Sequence, residues 1–263
     1  MAHSYNIASM RKTGERAAKG AAMSILEIRN YTKIYGKDKK ACDDVSLTVE
    51  SGDIFGFIGH NGAGKSTTIR AVVGVLDFET GTITIDGHDV QREPLACKQV
   101  TAYIPDNPDL YENLTGLQYL NFVADAFGVS EELRRQRIDD YATRFEIADA
   151  LTDTIGSYSH GMKQKVAIIA ALIHEPRLLV LDEPFVGLDP QAAFILKEIM
   201  REMCAEGSAV FFSTHVLDVA EKLCNKIAII KRGSIIAMGT MDELLEDGQS
   251  LEEAFLEMVR DEH

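Results

Sequence analysis

No stretch of this 263-residue chain is long and apolar enough to cross a bilayer. The longest uninterrupted apolar run, Val166–Ile173, has eight residues, whereas a spanning helix needs about 20. Basic residues are in deficit: 27 Lys and Arg stand against 41 Asp and Glu, a formal charge of −14. That deficit argues against broad nucleic-acid binding, which needs a basic face to displace phosphate counterions. It equally argues against docking on anionic lipid through a basic patch. Cysteine is scarce and scattered. Cys42, Cys97, Cys204 and Cys224 form no CxxC pair and no metal-ligand spacing, so they read as free buried thiols of a reducing compartment rather than as a disulfide framework. Residues 1–22 lack the apolar core of a signal peptide, because their AAKGAAM stretch is small rather than greasy. They read as a leader, a tag or an early start ahead of Met23. Internal repeats and low-complexity tracts are also missing.

What is present suits a folded core: 46% hydrophobic and 26% charged residues with 20 Gly and 6 Pro. The acidity is uneven. Residues 241–263 hold nine acids and one base, a net of −8 and more than half of the total, while residues 1–22 run to +3. The segment 241–263 therefore reads as an acidic helical tail with a solvated face, started by Ser250 and Glu253 at capping spacing.

Strand-like and helix-like segments alternate along the chain. Ile25–Ile28, Val45–Val49 and Thr82–Ile85 are short β-branched runs, and Ile54–Ile58 is a continuous apolar run ending in glycine, the mark of a central strand. Lys65–Leu76 has a helical pattern. After Pro108 the texture becomes all-helical, with helices expected over Leu114–Phe127, Arg134–Phe145 and Ser159–His174. The sheet pattern returns at Leu178–Leu181 and Val210–Ser213, with helices near Gln191–Ala205 and Val216–Leu223. Arg232-Gly233-Ser234 between two apolar runs signals a hairpin. These boundaries predict an α/β domain over 23–240, with a mostly parallel central sheet, a small antiparallel β-subdomain and an all-helical subdomain over about 105–172.

Two motifs carry chemistry. Gly59-His60-Asn61-Gly62-Ala63-Gly64-Lys65-Ser66-Thr67 fits the pattern GxxxxGK[ST] between an expected strand and an expected helix. Glycines let backbone N–H groups wrap an oxyanion, and the helix N-terminus adds positive potential. Lys65 would reach β- and γ-phosphates and Ser66 would ligate Mg²⁺. The second motif, Leu178–Leu181 followed by Asp182-Glu183-Pro184, ends an apolar strand in two carboxylates at the edge where α/β sheets bind ligands. Asp182 would hold Mg²⁺ through its water shell, and Glu183 would polarise an attacking water.

Further segments fall in order around these two. Ser159-His160-Gly161-Met162-Lys163-Gln164-Lys165 begins 23 residues before Asp182. Val186-Gly187-Leu188-Asp189-Pro190 follows the acidic pair, Ser213-Thr214-His215 ends the next strand, and Tyr35 lies upstream of the phosphate loop. Over residues 24–240 this order resembles the ATP-binding-cassette ATPases. The core is then the P-loop NTPase core of that family. The variant signature Tyr158-Ser159-His160-Gly161-Met162 resembles the single-cassette ATP-binding proteins of bacterial ABC-2-type drug and bacteriocin exporters.

The resemblance implies a role for each matching residue. Tyr35 would stack on adenine. Gly59, Asn61, Gly62, Gly64, Lys65, Ser66 and Thr67 would bind the phosphates. Ser159 and Gly161 would contact the γ-phosphate of ATP held by a second cassette, Asp189 would cross the dimer interface, and His215 would be the switch histidine that contacts the γ-phosphate. Where the family has a glutamine that touches Mg²⁺, this chain has Asp106, followed by Asn107, so Asp106 joins Ser66 and Asp182 as a metal candidate. The same resemblance implies ATP and Mg²⁺ as cofactors, a second cassette as a homo- or heterodimer partner, an integral membrane permease, no nucleic acid, and a peripheral place on the cytoplasmic face of the cell membrane. Pro108, Leu110, Tyr111, Leu114 and Tyr119 are candidate permease contacts. The expected function is ATP hydrolysis that powers an exporter, with a soluble ABC-type ATPase of non-transport role as the alternative.

Overall fold

A computed structural model describes residues 24–260 except 37, 246 and 247. The leader reading of residues 1–22 lies outside the described residues. The chain opens with two long strands, β1 (Ser24–Tyr35) and β2 (Lys39–Glu50), then β3 (Ile54–Ile58) and helix α1 (Lys65–Val72). Strands β4 (Thr80–Ile85) and β5 (His88–Asp89) lead through α2 (Pro94–Val100) to β6 (Thr101–Ile104). A helical segment follows, with α3 (Gly116–Ala126), α4 (Glu131–Arg144), two short 3₁₀ turns at Ala148–Thr152 and Ile155–Ser157, and α5 (His160–Leu172). The chain then alternates β7 (Leu178–Asp182), α6 (Pro190–Ala205), β8 (Ala209–Thr214), α7 (Leu217–Leu223), β9 (Lys226–Lys231) and β10 (Ser234–Thr240), and ends in α8 (Met241–Leu244) and α9 (Leu251–Arg260).

The strands form two sheets. One is antiparallel in the order β2-β1-β4-β5; the other has the order β10-β9-β3-β8-β7-β6 and is parallel except for β10. The parallel strands β3, β7 and β8 are buried throughout, as expected of a sheet covered on both faces. One apolar core lies between that sheet and the helices α5, α6, α7 and α9, and extends into the helical segment through Leu120, Ile138 and Phe145. A second core joins the two sheets around α1, with Tyr31, Phe55, Phe57, Ile69 and Phe211 fully buried.

Several sequence expectations shift in detail. The first hairpin is far longer than two short runs. Asn30 (φ 50°) and Asp44 (φ 55°) adopt left-handed backbone and break the alternation, and the strand register shifts near them. Helix α1 stops at Val72 rather than Leu76, and Gly74 turns left-handed just beyond it (φ 68°). Helix α2, which begins at Pro94, is an additional short helix that the sequence pattern does not announce. Thr115 caps α3 in a reciprocal box with Gln118, and Arg232 (φ 50°) with Gly233 (φ 91°) makes the expected hairpin turn.

Just past α5, the His174 ring stacks on Phe127 with centroids 3.7 Å apart and planes 10° from parallel. Burial pushes this imidazole down to about 4; the Thr101 backbone opposes the fall and the Arg137 charge adds to it. The folded state thus keeps His174 neutral where the unfolded chain, near the ordinary 6.5, takes up a proton. Its contribution to stability is full above about pH 6.5 and is lost as pH falls toward 4. Urea midpoints should decline across that window, and His174→Phe should flatten the decline. An unchanged slope in that variant would remove His174 as its source.

Candidate functional site

The order of the parallel strands places four chain segments side by side. Strands β3, β8, β7 and β6 are successive neighbours, with Ile58 opposite Thr214, Asp182 opposite Ser213 and Ile104 opposite Leu181. Their carboxyl ends therefore deliver the phosphate loop, His215, the Asp182-Glu183 pair and Asp106 to one edge of one sheet. This is where α/β folds collect ligands.

The phosphate loop is shaped by close packing. A Cβ on Gly59 would stand 2.5 Å from the Ile230 carbonyl oxygen, and one on Gly64 would stand 2.6 Å from that of Ala41, with Gly64 also at φ 115°. Ala63 N–H donates to the His60 carbonyl (3.1 Å), and Gly233 N–H, in the β9–β10 turn, donates to the Ala63 carbonyl (2.8 Å). Lys65 is 6% exposed. Its Nζ donates to the Gly59 carbonyl at 2.7 Å and the His60 carbonyl at 3.4 Å, and lies 3.4 Å from Glu183 Oε1. Asn61, Gly62 and Ser66 are exposed on the loop, and Thr67 is half-buried.

Glu183 sits at the centre of the edge. Its backbone is left-handed (φ 49°), which turns the chain away from the strand line directly after Asp182. Glu183 N–H donates to Ser213 Oγ at 3.2 Å, and His215 Nδ1 lies 3.0 Å from Glu183 Oε1. His215 N–H also donates to Glu183 Oε2 at 3.4 Å. Lys65, Glu183 and His215 thus meet around one carboxylate. Asp182 is buried beside them and accepts a 2.5 Å hydrogen bond from Ser213 Oγ. Asp106 is exposed two residues past β6. Burial, then the Asp182 charge, and to a lesser degree that of Asp106, push the Tyr103 hydroxyl up to about 12. The Ser66 hydroxyl and the two carboxylates form an all-oxygen donor set, which fits a hard divalent cation held largely by phosphate oxygens. Among the described residues, no group of three or more His, Cys, Asp or Glu side chains could hold a metal ion alone.

The remaining site candidates lie elsewhere. Tyr35 ends β1 with its ring 42% exposed and the Lys33 ammonium 5.9 Å from its centroid. Ser159 caps α5 on the surface, its Oγ accepting from Met162 N–H at 3.3 Å. Asp189 caps α6 through Ala192 N–H (2.8 Å) and pairs with Lys165 Nζ (2.9 Å); these two contacts hold its carboxyl below the usual range. Gly161 lies against Gly187, since a Cβ there would be 3.3 Å from the Gly187 carbonyl.

A family model described as ABC transporter matches residues 42–186, from β2 through the phosphate loop to the acidic pair. The chain belongs to the ABC transporter family. It is 38% identical over 244 residues to the ABC-type transporter ATP-binding protein EcsA of Bacillus subtilis (strain 168), a match that covers 91% of this chain and 98% of the relative. It is 37% identical over 223 residues to the daunorubicin resistance ATP-binding protein DrrA3 of Streptomyces coeruleorubidus, covering 85% and 70%. A solved structure of an ATP-binding subunit of an ABC transporter superposes with a TM-score of 0.86 at 37% identity, covering 90% of this chain and all of the other. The chain is an ATP-binding ABC subunit and an ATPase.

Within this ABC fold, Tyr158 directly precedes the α5 cap. It is buried in the helical segment and its hydroxyl donates to the Ala150 carbonyl at 2.6 Å. Sequence reasoning missed three supporting residues. Ser213 orients both acidic residues, but only the β7–β8 register brings it there. Lys165 pairs with Asp189 across 24 positions, and buried Gln164 donates to the Pro184 carbonyl at 3.2 Å. Two of the surface candidates need correction: Pro108 and Leu110 are buried, Leu110 within the main core. Tyr111 is 60% exposed, and the unforeseen Phe122 is 51% exposed against it, with ring centroids 5.7 Å apart.

Gly64→Ala should lower stability by about 2–5 kcal/mol, because left-handed strain and a collision with backbone act together. Gly87→Ala, at φ 85° with open space around it, carries the strain alone and should cost about 1 kcal/mol. Equal urea midpoints for the two variants would show that the loop yields.

Proposed function

We propose that this chain is the ATP-hydrolysing subunit of a membrane exporter, acting as one of two cassettes that close on two ATP molecules. The observation that carries this reading is the meeting of Lys65, Glu183 and His215 at the carboxyl edge of β3, β7 and β8. Each side chain has a role suited to phosphoryl transfer. Lys65 and the N–H groups of residues 61–67 neutralise and orient the β- and γ-phosphates. Glu183, held by the Ser213 hydroxyl and His215, accepts the proton of the attacking water and aligns it with the γ-phosphorus. His215, paired with the same carboxylate, donates toward the γ-phosphate oxygens and steadies Glu183. Ser66, Asp182 and Asp106 are the residues that would hold Mg²⁺, which supplies charge neutralisation of the phosphate oxygens. Tyr35, exposed at the end of β1, offers its face to adenine.

Ser159 and Gly161 are exposed or half-exposed at the start of α5, a helix N-terminus suited to an anion. A second cassette placed head to tail would bring that end to the γ-phosphate, with Asp189 at the crossing. Closure would then depend on the intact triphosphate and opening on its hydrolysis. Glu183→Gln should keep ATP binding and accumulate dimer on gel filtration, while phosphate release falls by at least about 100-fold. Hydrolysis near the wild-type rate would remove Glu183 from this role.

The permease partner is supported by an apolar cleft lined by Val72, Val90, Pro94, Cys97, Tyr103 and Phe127. Leu95 is 77% and Val75 is 70% exposed, and after Asp106 the exposed Tyr111 and Phe122 rings form an aromatic cluster with the half-buried Tyr119. Exposed apolar patches of this kind mark docking surfaces. No described helix is long and apolar enough to cross a membrane, so attachment to the cytoplasmic face would run through that partner. Relatives named for linearmycin and daunorubicin resistance favour export over import. Coexpression with a multi-span membrane protein encoded beside this chain should yield a detergent-stable complex. Tyr111→Arg should weaken that complex and leave the ATPase rate of the isolated subunit within about twofold. Assembly on a soluble scaffold instead would overturn the transport reading.

A further inference from the structure

The acidic C-terminal helix is not a free solvated face. Leu251, Ala254 and Phe255 are buried, whereas Glu252, Glu253, Leu256 and Glu257 are exposed. Both ends of α9 are anchored to catalytic-edge elements. Leu251 N–H donates to Glu221 on α7, at 2.8 Å, and α7 begins two residues after His215. Near the other end, the Val259 carbonyl accepts from Lys231 Nζ at 2.7 Å, and Lys231 ends the strand whose Ile230 packs under Gly59 and Gly64. Between these anchors the Phe255 ring meets the His60 ring edge-on, with centroids 5.1 Å apart and planes at 70°. His60 is the second residue of the phosphate loop. Its carbonyl takes both the Ala63 N–H and the Lys65 ammonium.

We infer that Phe255 is a positioning residue for nucleotide binding: through the His60 ring it sets the first turn of the phosphate loop, and α9 thereby ties the loop to the switch-histidine segment. An edge-to-face pair fixes ring orientation as well as distance. The His60 side chain is exposed to solvent on its other sides, so Phe255 is its identified aromatic partner and holds a residue that would otherwise sample several rotamers. Loss of the ring frees the His60 backbone, and with it the two contacts that its carbonyl makes. The Asp182 carboxylate and the Glu183 backbone are held by Ser213, and the Glu183 carboxylate also by His215, all outside the first turn of the loop, so losing the Phe255 ring acts mainly on binding. The inference rests on the phosphate-loop reading of ATP binding.

The test uses the full chain, with titrations of ATP and of ADP and steady-state hydrolysis. Phe255→Ala should raise the nucleotide Kd and the KM for ATP roughly three- to tenfold, with kcat within about twofold. Phe255→Leu, which keeps apolar bulk but no ring, should show the same rise and serves if the alanine variant fails to fold. Leu256→Ala, on the exposed face of the same helix, should bind as wild type does. In a His60→Ala background, Phe255→Leu should add less than about twofold. An unchanged Kd, a fall in kcat at constant KM, or an undiminished effect without His60 would overturn the role of Phe255. Lys65→Ala binding ATP as tightly as wild type would instead overturn the phosphate-loop reading itself.

Discussion

A buried ammonium is costly unless its charge is met by oriented oxygens, and Lys65 is such a group. Two loop carbonyls and the Glu183 carboxylate surround it, and much of the surrounding architecture makes that arrangement possible. Glycine at 59 and 64 lets the loop press against Ile230 and Ala41. The left-handed backbone of Glu183 points its carboxylate back across the edge toward Lys65 rather than along the strand. The β9–β10 turn, through Gly233, and the Ser213 hydroxyl then brace the loop and the acidic pair from opposite sides. A cation held by groups that phosphate can replace is a workable resting arrangement for a nucleotide site. The ligand exchanges one set of oxygens for another and does not have to fill a solvated gap.

Much of this could be read from the chain alone, for physical reasons that differ by segment. The phosphate loop is legible because few residue types tolerate its backbone. The strands β3 and β7 are legible because full burial on both faces forces continuous apolar runs. The capping box Thr115–Gln118 and the lone N-cap Ser159 announce helix starts through side-chain oxygens. The strand order β9-β3-β8-β7-β6 is not legible from local pattern, since pairing of β3 with β8 joins residues more than 150 positions apart. Ser213 and Lys165 are invisible for the same reason: their partners are distant in sequence. The length of the first hairpin was obscured by Asn30 and Asp44, whose left-handed turns interrupt the period on which strand reading depends.

The acidic tail changes meaning most. Its charge predicts a helix with a solvated face, and the spacing of Leu251, Phe255, Met258 and Val259 adds an opposite apolar stripe that joins the main core. The glutamates face outward, away from the loop that the helix touches. Net charge and local potential are thus decoupled: a chain at −14 can hold a polyanion because the carboxylates of α9 are turned to water and the loop offers N–H groups and one ammonium.

The one-to-one register between β7 and β8 has an evolutionary consequence. Asp182 faces Ser213 because both strands end within one residue of each other. Inserting or deleting a single residue inside β7 would move every side chain to the other face of the sheet and put Leu181 or Glu183 where Asp182 must be. The turn before α4, by contrast, is exposed at Gly128 and Ser130 and joins two helices rather than paired strands. Lineages of this fold should therefore differ in length near residues 128–130 far more readily than between 178 and 190.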